Sequence, residues 1–228
     1  MSVKNNIYNI RENIELAKQK SGRKDDVMLL CVTKMVDYDL IDQALEEGLV
    51  DIAENKVQEL VKRMDHYGEA ANYHMIGRMQ TNKVKYIYDK VKLIHSLDSI
   101  KLAKEINKRA LNSDMIVDVL VQVNASKEST KTGIFLENLD EFIYDCLELT
   151  NIRIRGLMTM APDTEDEKLI RTVFRDTCEA SEKIDAHKYE NVDMKYLSMG
   201  MTNDYGLAIE EGSNIVRLGT AIFKESKN

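Results

Sequence analysis

At 228 residues, 43% hydrophobic and 31% charged, the chain has the make-up of an ordinary soluble protein with apolar residues enough for a sizeable core. Its net charge of -7 comes from mixed charges spread along the length, which leaves no basic face for nucleic acid and no polybasic stretch for anionic lipid. No apolar run approaches the ~20 residues of a membrane-spanning helix and the N-terminus lacks the apolar core of a signal peptide, so a cytoplasmic protein is expected.

The first segment predicts an amphipathic helix, with Ile7, Ile10, Ile14 and Ala17 at helical spacing and an end near Ser21-Gly22. Short apolar or β-branched runs follow at 27–33, 51–53, 73–77, 91–96, 116–123, 152–158, 196–198 and 215–218. Helical periodicity separates them: Leu40, Ile41, Ala44 and Leu45 before Gly48, then Val57, Leu60, Val61 and Met64, then Leu102, Ala103, Ile106 and Ala110. Further on it returns at Leu139, Phe142, Ile143 and Leu147, at Leu169, Ile170, Val173 and Phe174, and at Leu207, Ala208 and Ile209 before Gly212. The run at 51–53 is the weakest strand, being short and half apolar. Eight strand-helix units predict an α/β protein, a single (β/α)8 barrel with an extra N-terminal helix, a fold that typically takes about 250 residues. One proline, Pro162, and no low-complexity stretch predict one domain over 1–228, and no Gly-x-Gly-x-x-Gly follows the first strand to suggest a dinucleotide site. Cys31, Cys146 and Cys178 are far apart, with no metal-ligand spacing, and read as reduced thiols.

In such a barrel ligands meet the C-terminal ends of the strands, so polar residues there need explaining. The first run, Val-Met-Leu-Leu-Cys-Val-Thr, ends in Lys34. That position predicts a lysine stem at the barrel mouth, where desolvation lowers the amine's pKa and frees a nucleophile of the kind a Schiff base requires; a solvated surface lysine is the equal alternative. Asn55 follows the second run and is either a ligand contact or a helix cap. His74, in the third, reads more readily as a satisfied core histidine than as an acid or base.

The last two units carry the sharper signal. "LSMGMTND" from Leu197 and "IVRLGTAIF" from Ile215 each end a strand in small residues that lead into a helix. Backbone amides of Gly200, Met201, Gly219 and Thr220, with the hydroxyls of Ser198 and Thr220, form a predicted phosphate cradle, and barrels of this kind bind phosphate after strands seven and eight. A phosphate-bearing aldehyde opposite a lysine describes pyridoxal 5'-phosphate. Arg217 would then point into the barrel towards the pyridine nitrogen, where an always-protonated guanidinium weakens the ring as an electron sink.

The motifs "VTKMV", "IAENKVQEL", "HMIGRMQTNK", "VNASKESTKTGI", "GLMTMAP" and "LSMGMTNDYGLAIEEGSNIVRLGTAIF" resemble, in order and spacing, those of the pyridoxal phosphate homeostasis proteins, and span residues 27 to 223. The resemblance implies a barrel like the N-terminal one of bacterial alanine racemase, with the cofactor held as a Schiff base on Lys34. It also implies that Ser198, Gly200, Gly219 and Thr220 take the phosphate side, with Met201 contributing backbone at most. Arg217 is implied at the pyridine nitrogen, and Asn55 and His74 in the pocket lining. The family is described as controlling the free level of the cofactor and delivering it to apo-enzymes, without robust catalysis. Ile52-Ala53 stand where the family usually reads Phe-Gly, and Met75 where it has an aromatic residue, departures that bear on pocket shape. Lys127 and Lys131 read either as a second, transient aldehyde site or, preferably, as solvated loop lysines.

A low-activity amino-acid racemase stays open beside the carrier. Alanine racemase takes its second acid/base group, a tyrosine, from another subunit through an extra β-domain, and this sequence ends at Asn228 just past the last barrel unit. A monomer without that domain is therefore the expectation, although a tyrosine inside the barrel, Tyr205 first, could substitute. A sugar-phosphate aldolase using Lys34 is the third reading.

Overall fold

The computed structural model describes residues 2–128 and 131–224; Ser129 and Thr130 of the "NASKESTKTG" stretch lie outside the described residues. The chain opens with helix α1 (Val3–Ser21), whose apolar stripe of Val3, Ile7, Ile10, Ile14 and Ala17 is buried. Ser2 caps its start by accepting from the Asn5 amide. Gly22, with φ of 70°, ends it: its amide and that of Arg23 turn back to the Gln19 and Lys18 carbonyls.

Strands and helices then alternate: β1 (Met28–Val32), α2 (Tyr38–Glu46), β2 (Asp51–Glu54), α3 (Val57–Tyr67), β3 (Asn72–Met75), β4 (Leu93–Leu97) and α4 (Ile100–Asn112). The second half runs β5 (Val117–Gln122), α5 (Leu139–Cys146), β6 (Ile152–Met158), α6 (Glu167–Asp185), β7 (Val192–Ser198), α7 (Tyr205–Glu210), β8 (Ile215–Leu218) and α8 (Thr220–Phe223). The strands close, all parallel and in sequence order, into the expected eight-stranded barrel, with β8 returning to β1 from Met28↔Ile215 to Cys31↔Leu218.

Two core layers follow from the two faces of each strand. Leu30 and Val32 on β1, Ala53 on β2, Leu93 on β4, Leu120 on β5, Met158 on β6 and Ile215 on β8 fill the barrel interior. The alternate residues, such as Cys31, Ile52, Val119 and Val216, meet the helices outside.

Two units depart from the expected strand-helix repeat. Between β3 and β4 the chain forms only a 3-10 segment, Thr81–Tyr86, in which Val84 alone is buried, because that stretch offers no apolar stripe long enough to hold an α-helix on the sheet. At the end, α8 is a single turn. Helix α1 packs against α2, α7 and α8, and Asn6 Nδ2 donates to the Ile222 and Lys224 carbonyls. The extra helix thus covers the seam between β8 and β1 that so short an α8 leaves open. Among the described residues no helix is long and apolar enough to cross a membrane.

Candidate functional site

Inward parity on β1 runs through Leu30 and Val32, and the strand hands over to a four-residue turn closed by the Val36 amide on the Thr33 carbonyl at 3.1 Å. Lys34 and Met35 are its two central residues, and Met35 sits at φ of 59°. Lys34 is exposed. The desolvated stem expected from the sequence is therefore not what the structure presents: the apolar run stops at Val32 and Thr33, and the turn lifts the next residue clear of the barrel rim. The amine is open to a ligand, and among the described residues no hydrogen bond or ion pair engages it.

On the same rim, β7 and β8, the latter the direct neighbour of β1, end in the two glycine turns. Gly200 has φ of 90°, and a Cβ there would come within 2.7 Å of the Ala208 Cβ and 2.8 Å of the Tyr205 Cα, so only glycine fits. A Cβ on Gly219 would meet the Val32 carbonyl oxygen at 2.9 Å, which packs this turn against the end of β1 beside the lysine turn. Among the described residues, the amides of Gly200, Gly219 and Thr220 take part in none of the turn and loop hydrogen bonds. Met201 differs, because its amide donates to Asp204 Oδ1 at 2.6 Å. Since α7 and α8 are so short, donation to an anion rests on these amides and the exposed Thr220 rather than on a helix dipole.

Arg217 shares the inward parity of Ile215 and is buried beneath these turns. Its Nη1 donates to Ser198 Oγ at 2.8 Å and its Nη2 to the Thr159 carbonyl at 2.9 Å. Burial pushes the guanidinium down to about 10, against the pull of Asp204. At neutral pH it remains a cation.

Below Arg217 a chain of polar side chains crosses the barrel interior. Ser198 Oγ lies 3.0 Å from His95 Nδ1, His95 Nε2 lies 3.0 Å from His74 Nδ1, and His74 Nε2 lies 3.1 Å from Asp51 Oδ1 at the N-terminal end of β2. Asp51 also accepts from Lys92 Nζ at 3.1 Å and Asn72 Nδ2 at 3.0 Å. Burial works to raise the Asp51 carboxyl, but the bonds from His74 and Lys92 outweigh it and hold it down to about 2. Burial lowers both histidines, His95 well below its ordinary value, with the Arg217 cation pushing the same way, as would any charge on His74.

These partners fix the protons. An ionised Asp51 only accepts, so His74 carries its proton on Nε2 and accepts at Nδ1; His95 then donates from Nε2 and accepts the Ser198 hydroxyl proton at Nδ1. Every bond points the same way, from the Arg217 cation to the Asp51 anion, and both imidazoles are neutral.

The expected site residues therefore fall into two groups. Lys34, Asn55, Gly200, Met201, Gly219 and Thr220 stand around the mouth, and Asn55 is exposed there with no part in capping α3, whose N-cap is Lys56. Ser198, Arg217 and His74 lie underneath. Ser198 is turned inward onto Arg217 and His95, away from the phosphate side it was expected to serve, and both ring nitrogens of His74 are committed to protein partners. His95 was missed by sequence reading; the signal was a histidine at an inward position of a fully buried strand. Lys127 pairs with Glu137 at 2.8 Å and Lys131 with Glu128 at 2.7 Å, Lys131 also donating to the Ala161 carbonyl at 3.0 Å.

The profile of the family described as "Alanine racemase, N-terminal domain" matches residues 6–227. The chain is 42% identical over 220 residues to the pyridoxal phosphate homeostasis protein of Aquifex aeolicus, covering 96% of each. It belongs to the pyridoxal phosphate homeostasis protein family. Among solved structures, an unknown protein from Bifidobacterium adolescentis superposes with a TM-score of 0.89 at 34% identity, over 97% of this chain and 94% of that one. PipY of Synechococcus elongatus PCC7942, solved with PLP bound, superposes with a TM-score of 0.80 at 26% identity, over 92% of this chain and 99% of that one. Membership extends over the whole barrel and includes both glycine turns and the lysine turn.

Proposed function

We propose that the protein binds pyridoxal 5'-phosphate as a Schiff base on Lys34, contributes to its intracellular homeostasis and hands it to apo-enzymes. The observation that carries this reading is the exposed Lys34 amine at the mouth, two glycine turns with free amides at the ends of β7 and the neighbouring β8, and the buried Arg217 cation beneath them. A phosphate matches the turns: the amides of Gly200, Gly219 and Thr220 and the exposed Thr220 hydroxyl can donate to an acceptor, and the two glycines let the turns pack closely on α7 and the end of β1. Met201 contributes least, its amide being engaged with Asp204. Asn55 completes the rim, while Ser198 and His74 act from below, through Arg217.

The protein's chemistry is spare. Lys34 Nζ attacks the aldehyde carbon, and a C=N bond forms with loss of one water. Arg217 has five N–H groups and spends part of them on Ser198 and Thr159, which leaves donors for the pyridine nitrogen. When bound, the cofactor supplies an electrophilic aldehyde and a ring able to accept electron pairs. A guanidinium that keeps its own proton holds that ring neutral, which favours storage over carbanion chemistry. Release needs only water at the exposed lysine.

Transfer is tested by mixing the loaded protein with an apo-enzyme that requires the cofactor and following the activity gained. A faster gain than from the same concentration of free cofactor supports direct delivery; an identical gain confines the role to storage. Racemisation of alanine by the loaded protein, at a rate above free cofactor, would instead favour the enzyme reading.

A further inference from the structure

Lys34 is carried by a turn with a strained centre, and among the described residues the side-chain hydrogen bonds around that turn involve Arg63 and Glu54. Its support comes from behind, from Arg63 on α3. Arg63 is buried, and its Nη2 donates to both carbonyls that bracket the turn, Val36 O at 2.7 Å and Thr33 O at 3.3 Å. Its Nε faces Glu54 Oε1 at 3.4 Å, and that same oxygen accepts the Thr33 hydroxyl at 2.8 Å. The guanidinium lies 4.3 Å over the ring of Tyr38, the first residue of α2 on the far side of the turn. One planar cation thus touches the strand end, the turn and the next helix.

Met35 explains the need. It is fully exposed, gains nothing from packing, and stands in the left-handed region that a non-glycine residue avoids. Left alone, the turn would relax and swing Lys34 away from the two glycine turns. Glu54 is fully buried with its Oε2 unpartnered, and its Oε1 is engaged by both Arg63 and the Thr33 hydroxyl, which ties the arginine to the strand end.

We propose that Arg63, oriented by Glu54 and Tyr38, is the positioning residue that presents the Lys34 amine to the aldehyde. The inference rests on Lys34 being the aldehyde anchor. A lysine at position 63 would keep a charge but could not reach both carbonyls and stack on the ring at once.

The test compares two ligands with the same ring and phosphate: pyridoxal 5'-phosphate, which can form the C=N bond, and pyridoxine 5'-phosphate, which has an alcohol in place of the aldehyde. For Arg63→Met the expected result is a loss of about tenfold to a hundredfold in affinity for the aldehyde and slower growth of the imine band, the range set by losing charge-assisted bonds. Affinity for the alcohol should stay within about twofold, because Arg63 approaches the lysine turn from the α3 side and bonds to neither phosphate turn. Arg63→Lys retains the buried cation and gives a second reading should Arg63→Met not fold; it should lose in the same ligand-selective way, by less. Equal losses for both ligands, or unchanged aldehyde binding in Arg63→Lys and Arg63→Met, would overturn the proposal. A wild-type protein that forms no imine on Lys34 would overturn the functional reading itself, and the positioning role with it, an outcome separate from an intact imine that ignores position 63.

Discussion

The chain of bonds from Arg217 to Asp51 requires His74 and His95 to stay neutral in the folded protein, and this has a measurable cost in acid. Both histidines are lowered, His95 well below its ordinary value, chiefly by burial. In the unfolded chain they titrate near 6.5, so below that pH the unfolded state binds more protons and stability falls as pH falls. Each such group contributes at most about 1.4 kcal/mol per pH unit, so going from pH 7.5 to 5.5 should cost up to about 2.7 kcal/mol for the pair. His95→Gln removes one titrating group and should roughly halve that loss. At pH 7.5 it should itself cost about 1–3 kcal/mol, because Ser198 or His74 loses a buried partner. The assay is urea denaturation followed by far-ultraviolet circular dichroism at half-unit steps of pH, for wild type and His95→Gln. Carboxylates cancel in the difference: Asp51, held at about 2, loses its contribution only in stronger acid, and Glu54 and Asp204, raised by burial, act in the opposite sense in both proteins. Parallel curves for the two proteins would refute the reasoning, since they would mean that His95 exchanges its proton equally in both states.

Three further outcomes are expected. Lys34→Ala should abolish the imine absorbance yet leave phosphate-driven binding of the cofactor, and an unchanged band would identify a different lysine. Gly200→Ala forces a Cβ against Ala208 and Tyr205 at a positive φ, so it should lower stability by about 1–3 kcal/mol from overpacking, with roughly 1–2 kcal/mol more from the left-handed backbone, and weaken cofactor binding; calorimetry and titration check both. Cys31 and Cys146 are buried and pushed up to about 12, mainly by burial, so iodoacetamide at pH 8 should modify neither in the native protein, whereas modification of both should appear in urea.

The barrel was legible because its strands are buried on both faces and so read as apolar runs, with helical stripes between them. Where the pattern thinned, so did the reading. β7 begins at Val192, earlier than the apolar run suggests, because Asp193 and Lys195 point outward from a strand whose first half is only partly covered. The missing helix after β3 was invisible for the opposite reason: strand-helix alternation implied it, yet the local sequence had no stripe to form one. Of the site, the rim was readable from glycines at strand ends and a lysine after an apolar run. The layer beneath was not, because Ser198, His95, His74 and Asp51 come from separate strands and only the closed barrel brings them within hydrogen-bond reach. Lys34 carried a further lesson. It does follow the end of β1, but its exposure comes with a turn whose flanking carbonyls accept from Arg63, twenty-nine residues on, a contact no local pattern could reveal.

The decisive measurement is the absorbance spectrum of the purified protein with pyridoxal 5'-phosphate, before and after borohydride, followed by peptide mass mapping. A band in the visible-edge region characteristic of an imine, fixed by reduction as a pyridoxyl adduct on the peptide containing Lys34, is the predicted result. No band and no adduct would contradict it, and the two glycine turns would then have to serve a different phosphate, with a sugar-phosphate reaction at Lys34 as the reading to take up next.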